Sequence, residues 1–172
     1  RQMCIRDSFI YQLKYNSDGT LKASVENLKI IDQYRTELNK LVDNSGLGDA
    51  VQGFQDIYKD NSKIINQYFS AIVGDYKNNE ALFNAILESN NQTVVDNLLG
   101  SGIDANFKQP LLDALKQSVT SGSNKAELKQ VLDSFLKSNP DVPSTLSRYT
   151  SQIASDATTQ FNSCLLYTSD AA

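Results

Sequence analysis

The sequence predicts an all-α protein with a short β-strand and turn near its N-terminal side. Apolar residues recur at alternating spacings of three and four in two long segments, which is the pattern of an amphipathic helix. Ser, Asn or Pro stands where most apolar segments begin, and Gly-rich or Pro-containing stretches separate them. No apolar run approaches the roughly 18 residues that a membrane-spanning helix needs.

The strand and turn are predicted over residues 9–23. Apolar and polar residues alternate from Tyr11 to Tyr15, and residues 16–19 are Asn-Ser-Asp-Gly, which are types that favour turns. A calcium-binding EF-hand loop is excluded here, because Gly19 as its sixth residue would put Lys14 at the first ligand position. We therefore expect a tight turn around Gly19.

Two long helices are expected next, packed as an antiparallel hairpin. Ser24 is the predicted N-cap of the first helix, and Glu26 suits the positive end of its dipole. One face of this helix is apolar and carries Ile31, Tyr34, Leu38 and Leu41. Residues 43–48 end it, and a connection of about six residues favours an antiparallel hairpin.

The second long helix carries a heptad seam with one polar member. The seam consists of Val51, Phe54, Tyr58, Asn61, Ile65, Tyr68 and Ile72, and it is widened by Ile57, Ile64 and Phe69. This width favours packing within a bundle over a strict coiled coil. Asn61 either selects the register and the partner of the seam or lies at the wet edge of the helix, and we favour the second interpretation.

Shorter helices are expected over the rest of a helical bundle region that spans residues 24–163. Each begins at a residue that suits a helix N-terminus, because its side chain accepts a hydrogen bond from a free backbone N–H or, for proline, because the missing N–H costs little. These residues are Asn79, Asn91, Pro110, Asn124 and Ser144. Asn124 and Glu127 match a capping box, and residues 139–143 separate the last two helices.

The two ends of the chain encode each other. Codons chosen for residues 164–172 have a reverse complement that translates as residues 1–7 and then opens a codon compatible with Ser8. This pattern resembles the inverted transposon end that serves as an adapter in sequencing libraries. We therefore expect residues 1–8 and 164–172 to be translated adapter, with no native Cys4–Cys164 disulfide, and residues 9–163 to be an internal part of a longer reading frame.

The composition argues against several classes of function. The chain has 16 basic and 20 acidic residues, a net charge of −4 at pH 7, and its thinly spread Lys and Arg suit neither duplex nucleic acid nor an anionic membrane. It has no His, and both Cys lie in the adapter-like ends, so the usual metal ligands and thiol nucleophiles are missing. We predict no enzyme, no cofactor, no small-molecule substrate, and no catalytic, cofactor-binding or metal-binding residue.

Three groups of residues were weighed as candidate sites and assigned structural roles. Asp56 and Asp60 share a helix face with lysines, as on a solvated surface. Residues 100–102, Gly-Ser-Gly, follow a helix and lack a P-loop lysine, so they are expected to end that helix. The aromatic residues of the second helix region are expected to pack in the core, although a base-stacking row was considered: Tyr58, Tyr68, Phe69 and Tyr76.

Two parts of the chain resemble virion proteins of tailed bacteriophages. Residues 11–22 (YQLKYNSDGTLK), residues 25–28 (VENL) and Tyr34-Arg35 look like the start of helical virion proteins of these phages. Residues 146–157 (LSRYTSQIASDA) and 160–162 (QFN) are similar to the helix that precedes the conserved domain of Mu F-type minor head morphogenesis proteins. The resemblance follows the order of elements over most of residues 9–163. It implies a capsid-associated component that acts through protein contacts near the portal.

The leading hypothesis is therefore a phage virion or head morphogenesis protein, located in the virion or in the host cytoplasm during assembly. Its expected partners are portal or capsid proteins, or further copies of itself. The second hypothesis is a helical interaction module of a bacterial envelope or secreted protein. The third is a helical appendage of an enzyme whose catalytic domain lies beyond Ser163. The long seam from Val51 to Ile72 and a last helix that is still apolar on one face at Ser163 predict unsatisfied apolar surface, so residues 9–163 are expected to self-associate or to bind a partner.

Overall fold

The computed structural model describes residues 8–43, 47–72 and 80–170. The chain forms two compact units, and each is discontinuous in sequence. The first unit comprises Arg1–Ser45 and Ile103–Tyr149, and the second comprises Gly46–Gly102 and Thr150–Ala172.

The prediction of an all-α fold is confirmed for the described part of the chain, which is mostly helical and contains no strand. Helix α1 covers residues 8–12. The remaining helices are α2 (Val25–Asp43), α3 (Leu47–Ile72), α4 (Glu80–Leu98), α5 (Ser101–Ile103), α6 (Gln109–Ser121), α7 (Lys125–Leu136) and α8 (Thr145–Asp170).

The predicted N-terminal strand is wrong, because residues 8–12 are helical. Phe9, Ile10 and Leu13 are all buried, and their spacing places them on one side of a helix, which outweighs the short alternation from Tyr11 onward. The predicted turn is confirmed. Gly19 has a φ of 83°, a region that favours glycine, and its N–H donates to the carbonyl of Asn16 at 3.0 Å.

Asn27 of α2 holds the loop that follows α1. Its side chain is fully buried, and its Oδ1 accepts a hydrogen bond from the N–H of Lys14 at 2.7 Å. Its Nδ2 donates to the carbonyls of Lys14 and Lys22, both at 2.8 Å. The N–H of Asn27 also donates to Oγ of Ser24 at 3.3 Å, which confirms Ser24 as the N-cap of α2.

The apolar face of α2 is confirmed, but the predicted hairpin with α3 is not. Ile31, Tyr34 and Leu38 are buried, and α2 packs on α6 within the first unit. Lys116 of α6 forms an ion pair with Asp32 at 2.7 Å. Helix α3 belongs to the second unit and packs on α4, while the expected connection includes residues outside the described ranges. The spacing of apolar residues predicts a buried face but does not select the helix that covers it.

A π-helical turn, Asp104–Lys108, joins α5 to α6 and was not predicted. Its last residue, Lys108, is only 8% exposed. The Lys108 ammonium group is satisfied by an ion pair with Asp104 at 2.9 Å and by a hydrogen bond to Oδ1 of Asn39 in α2 at 2.8 Å. The turn is therefore anchored to α2.

Pro110 lies at the start of α6 as expected, and all four apolar residues expected on this helix are buried: Leu111, Leu112, Leu115 and Val119.

The connections around α7 match their sequence signals. Gly122 ends α6 with a φ of 70°, in the left-handed region. Oδ1 of Asn124 accepts hydrogen bonds from the N–H groups of Ala126 and Glu127, and Oε2 of Glu127 accepts one from the N–H of Asn124 at 2.8 Å. The capping box is therefore confirmed. Ser144 caps α8, since its Oγ accepts from the N–H of Ser147 at 3.2 Å.

The prediction of two short helices before Gly100 is wrong, because α4 is continuous from Glu80 to Leu98. Asn91, expected as an N-cap, lies inside this helix. Asn90, Val94 and Leu98 recur every four residues and form one buried stripe, so burial overrides the capping preference of asparagine. The other expected cap, Asn79, lies outside the described residues.

The core of the second unit lies between α3, α4 and the part of α8 that begins at Thr150. Tyr58 of α3 is fully buried and stacks on Phe161 of α8 with ring centroids 4.7 Å apart. Burial raises the pKa of Tyr58, while Thr158 and Asn90 near its hydroxyl oppose that rise. Val51 on α3 and Ala157 on α8 complete the buried face.

Candidate interaction surface

The most prominent exposed apolar feature lies on α3. Ile57, Ile64, Tyr68 and Ile72 are between 56% and 62% exposed. Their spacings of seven, four and four place them along one side of the helix. We call these four residues the α3 stripe. Scattered exposed apolar residues are ordinary on proteins, but four that follow one another along one helix face are typical of interaction sites.

The α3 stripe partly corrects the predicted heptad seam. Val51 and Tyr58 are buried as expected, whereas Tyr68 and Ile72, two later seam members, are mostly exposed. A straight α-helix has 3.6 residues per turn, so a heptad pattern drifts by about 20° per heptad around its axis. Over three heptads this drift carries the end of the seam away from a face that packs on α4. Ile57 and Ile64, which were expected to widen the buried seam, lie outside it.

Asn61 lies on the same side of α3, between Ile57 and Ile64, and its side chain is half-buried. Its position suits both interpretations that the sequence left open. It borders the buried face, and it also interrupts the α3 stripe.

A row of carboxylates borders the α3 stripe on one side. Asp49, Asp56 and Asp60 are exposed and follow one another at spacings of seven and four. Asp60 forms an ion pair with Lys63 at 3.1 Å, in which both side chains are largely exposed. Asp56 accepts a hydrogen bond from Gln52 at 3.4 Å. Within the described residues, no cluster of His, Cys, Asp or Glu could hold a metal ion.

The aromatic row of the second unit does not form a common surface. Tyr58 is buried against Phe54 and Phe161, as the core interpretation predicts. Tyr68 is 60% exposed, so the core interpretation is wrong at this position. Its ring meets that of Phe69 edge-on, with centroids 5.6 Å apart. Tyr76 lies outside the described residues.

The remaining sequence candidates take structural roles. Asp18 accepts hydrogen bonds from the hydroxyl and the N–H of Thr20 at 2.6 and 2.9 Å, and these bonds hold the pKa of its carboxyl below the usual range. This geometry is that of a turn residue. The N–H of Gly100 donates to the carbonyl of Val95 at 3.2 Å, and a Cβ on Gly100 would lie 2.9 Å from the Asp96 carbonyl oxygen. Gly100 therefore belongs to the end of α4, not to a phosphate loop.

The second unit also contains a cavity of about 250 Å³ between α4 and α8. Asn90 lines it and is 7% exposed, and Nδ2 of Asn90 has no hydrogen-bond partner. Cys164, in one of the adapter-like ends, forms part of the same wall.

Comparison with protein-family models, curated proteins and solved structures gives no match to this chain. None of the described helices combines the length and the apolarity that a membrane span requires.

Proposed function

We propose that the chain is a structural or head morphogenesis component of a tailed-bacteriophage virion and acts through protein–protein contacts. The observation that carries the contact function is the α3 stripe, because four apolar side chains stay mostly exposed to water on one helix face. The virion context comes from the resemblance at residues 11–22 and 146–157. The corresponding locations are the virion and the host cytoplasm during assembly.

Gene order around the coding sequence tests the virion context. Head morphogenesis genes of this type are expected beside portal and terminase genes, so assembly of the parent contig should place those genes next to this one. Neighbouring metabolic genes would contradict the proposal. An upstream signal peptide among envelope genes would instead support an envelope interaction module, and a downstream domain rich in His, Cys or carboxylates would support an enzyme appendage.

A solution experiment tests the contact function independently of gene order. The purified full chain is expected to bind a hydrophobic fluorescent dye, because the α3 stripe exposes four apolar side chains along one helix face. Replacing Ile64 and Tyr68 with Ser should reduce dye fluorescence to less than about half while leaving the helical circular dichroism signal unchanged, since both side chains are already mostly exposed. The matched control is Val142→Ser, an equally exposed apolar residue in the first unit. Equal dye binding by the two variants would contradict a role for the stripe.

A further inference from the structure

We propose that the α3 stripe is covered by an amphipathic helix whose apolar seam is bordered by Lys and Arg. This inference rests on the proposed contact function and adds the chemistry of the partner. It depends on two properties of the second unit: the length and shape of the apolar stripe, and the sign of the charge that surrounds it.

The stripe fits one face of a helix. Ile57 and Ile72 are 15 positions apart in the helix, which corresponds to about 22 Å along its axis. Its members recur at helical spacing and form a ridge, with a gap of about two turns between Ile57 and Ile64 and gaps of about one turn after that. A partner helix can place apolar residues at i, i+3, i+4 and i+7 into such gaps, as in other complexes in which a helix docks on a helical surface.

The charge around the stripe is acidic. Asp49, Asp56 and Asp60 border it on one side, and only Asp60 has an ion-pair partner among the described residues. On the other side, α3 packs on α4, which contains no Lys or Arg. The second unit as a whole has nine Asp and Glu against three Lys, a net charge of −6, while the first unit has a net charge of +2. The acidic character of the chain is therefore concentrated in the unit that carries the stripe.

This distribution favours a basic partner over a second copy of the chain. If two copies pair antiparallel through the stripe, with Ile57 of one opposite Ile72 of the other, the two Asp49–Asp60 rows lie on the same side of the pair but toward its opposite ends. If they pair parallel, each row lies beside α4 of the other copy, which has acidic but no basic residues. Neither arrangement therefore places a matching row of basic residues along the Asp49–Asp60 row, whereas Lys and Arg at the border of a partner helix would carry the opposite charge to that row.

Binding of two matched peptides tests the inference. Both form amphipathic helices of about 16 residues with the same leucine seam, and they differ only in the border residues, which are Lys in one and Glu in the other. The full chain is expected to bind the Lys-bordered peptide at least about tenfold more tightly in fluorescence anisotropy. The difference should shrink when salt is raised from about 0.05 M to about 0.5 M, because exposed charge pairs are screened.

Two sets of variants assign the binding to the proposed surface. Ile64→Ser should weaken binding of the Lys-bordered peptide at least about tenfold, while its control Val142→Ser leaves it unchanged. Asp56→Asn combined with Asp60→Asn should bring the affinities of the two peptides closer together and keep the apolar contribution. The control for the charge variant is Asp141→Asn, which removes an exposed carboxylate from the first unit.

Three outcomes would overturn the inference. The first is equal binding of the two peptides, and the second is no binding of either. The third is a dimer of the chain that Ile64→Ser abolishes and that the Lys-bordered peptide does not compete away, which would assign the stripe to a second copy. Gene order remains a separate test, so neighbouring portal and terminase genes together with failed peptide binding would reject the basic partner and keep the virion proposal.

Discussion

The two units of the chain differ in the hydrogen bonding of their buried polar side chains and in the arrangement of their exposed apolar side chains. Asn27, Lys108, Ser118 and Ser144 are the buried polar residues of the first unit within the described ranges, and each has hydrogen-bond partners. Asn90 is the corresponding residue of the second unit, and its Nδ2 has none. Oδ1 of Asn66 and Oδ1 of Asn91 in the same unit are also buried without a partner.

The contrast extends to the surface. The second unit carries the α3 stripe and a net charge of −6, whereas the first unit has a net charge of +2 and binds its own loops and helix ends with side-chain hydrogen bonds. An unpaired buried amide costs free energy, and so does water-exposed apolar surface. The comparison teaches that the four buried polar side chains of the first unit find partners within that unit, while the second unit combines buried amide atoms without a partner with a row of exposed apolar side chains, which binding can cover. The following predictions test this difference.

Replacing Asn27 with Ala is expected to have the largest effect on stability. The change removes three hydrogen bonds and leaves the N–H of Lys14 and the carbonyl of Lys22 without their partner, while the carbonyl of Lys14 keeps the hydrogen bond from the N–H of Lys22 at 3.0 Å. Since each unsatisfied buried group costs about 1–3 kcal/mol, the free energy of unfolding should fall by about 3 kcal/mol or more. Urea denaturation followed by circular dichroism measures this change.

The matched control is the same substitution at Asn61 in the second unit. Its side chain is half-buried on α3, and alanine has the higher helix propensity, so the expected change is within about 0.5 kcal/mol. A similar small effect at both positions would show that the Asn27 hydrogen bonds are not what holds the loop to α2.

The capping box of α7 is expected to give an intermediate effect. Asn124→Ala removes the acceptor for two free N–H groups at the start of the helix, and the expected loss of unfolding free energy is about 1 kcal/mol. Glu127→Gln is the control, because glutamine also accepts the hydrogen bond from the N–H of Asn124. If both variants lose the same stability, charge at the helix end matters more than the cap.

These positions also show what the sequence can and cannot predict. Ser24, Asn124 and Gly122 act over three residues or fewer, and such local signals located helix ends in the first unit correctly. Asn91 has the same capping chemistry but lies inside α4, because the buried stripe through Asn90 and Val94 extends the helix past it. A local preference of about 1 kcal/mol yields to the burial of several side chains.

The spacing of apolar residues does not predict which helix packs against which. The heptad spacing of α3 predicts an apolar seam, yet it does not say that α4 covers the early part or that Tyr68 and Ile72 stay exposed. The hydrogen bond from Lys108 to Asn39 could not be predicted from the sequence either, because the two residues are 69 positions apart. Side chains that meet only in the folded chain leave no periodic signal. The members of the α3 stripe do recur at helical spacing, but the spacing does not say whether another helix covers them.

The smallest effect on stability is expected at Asn90 of the second unit, where a buried amide nitrogen has no hydrogen-bond partner. Asn90→Leu replaces a buried amide with an apolar side chain of similar size, so it removes the unpartnered Nδ2 and adds apolar contacts in the wall of the cavity. It also removes the polar neighbour of the Tyr58 hydroxyl. The gain from removing the unpartnered amide and the loss of the polar neighbour of Tyr58 oppose each other. The free energy of unfolding should therefore stay within about 1 kcal/mol of the original value, as measured by urea denaturation. A loss comparable to that of Asn27→Ala would mean that Asn90 is fully satisfied in solution, and the contrast between the two units would then rest on the α3 stripe and the charge alone.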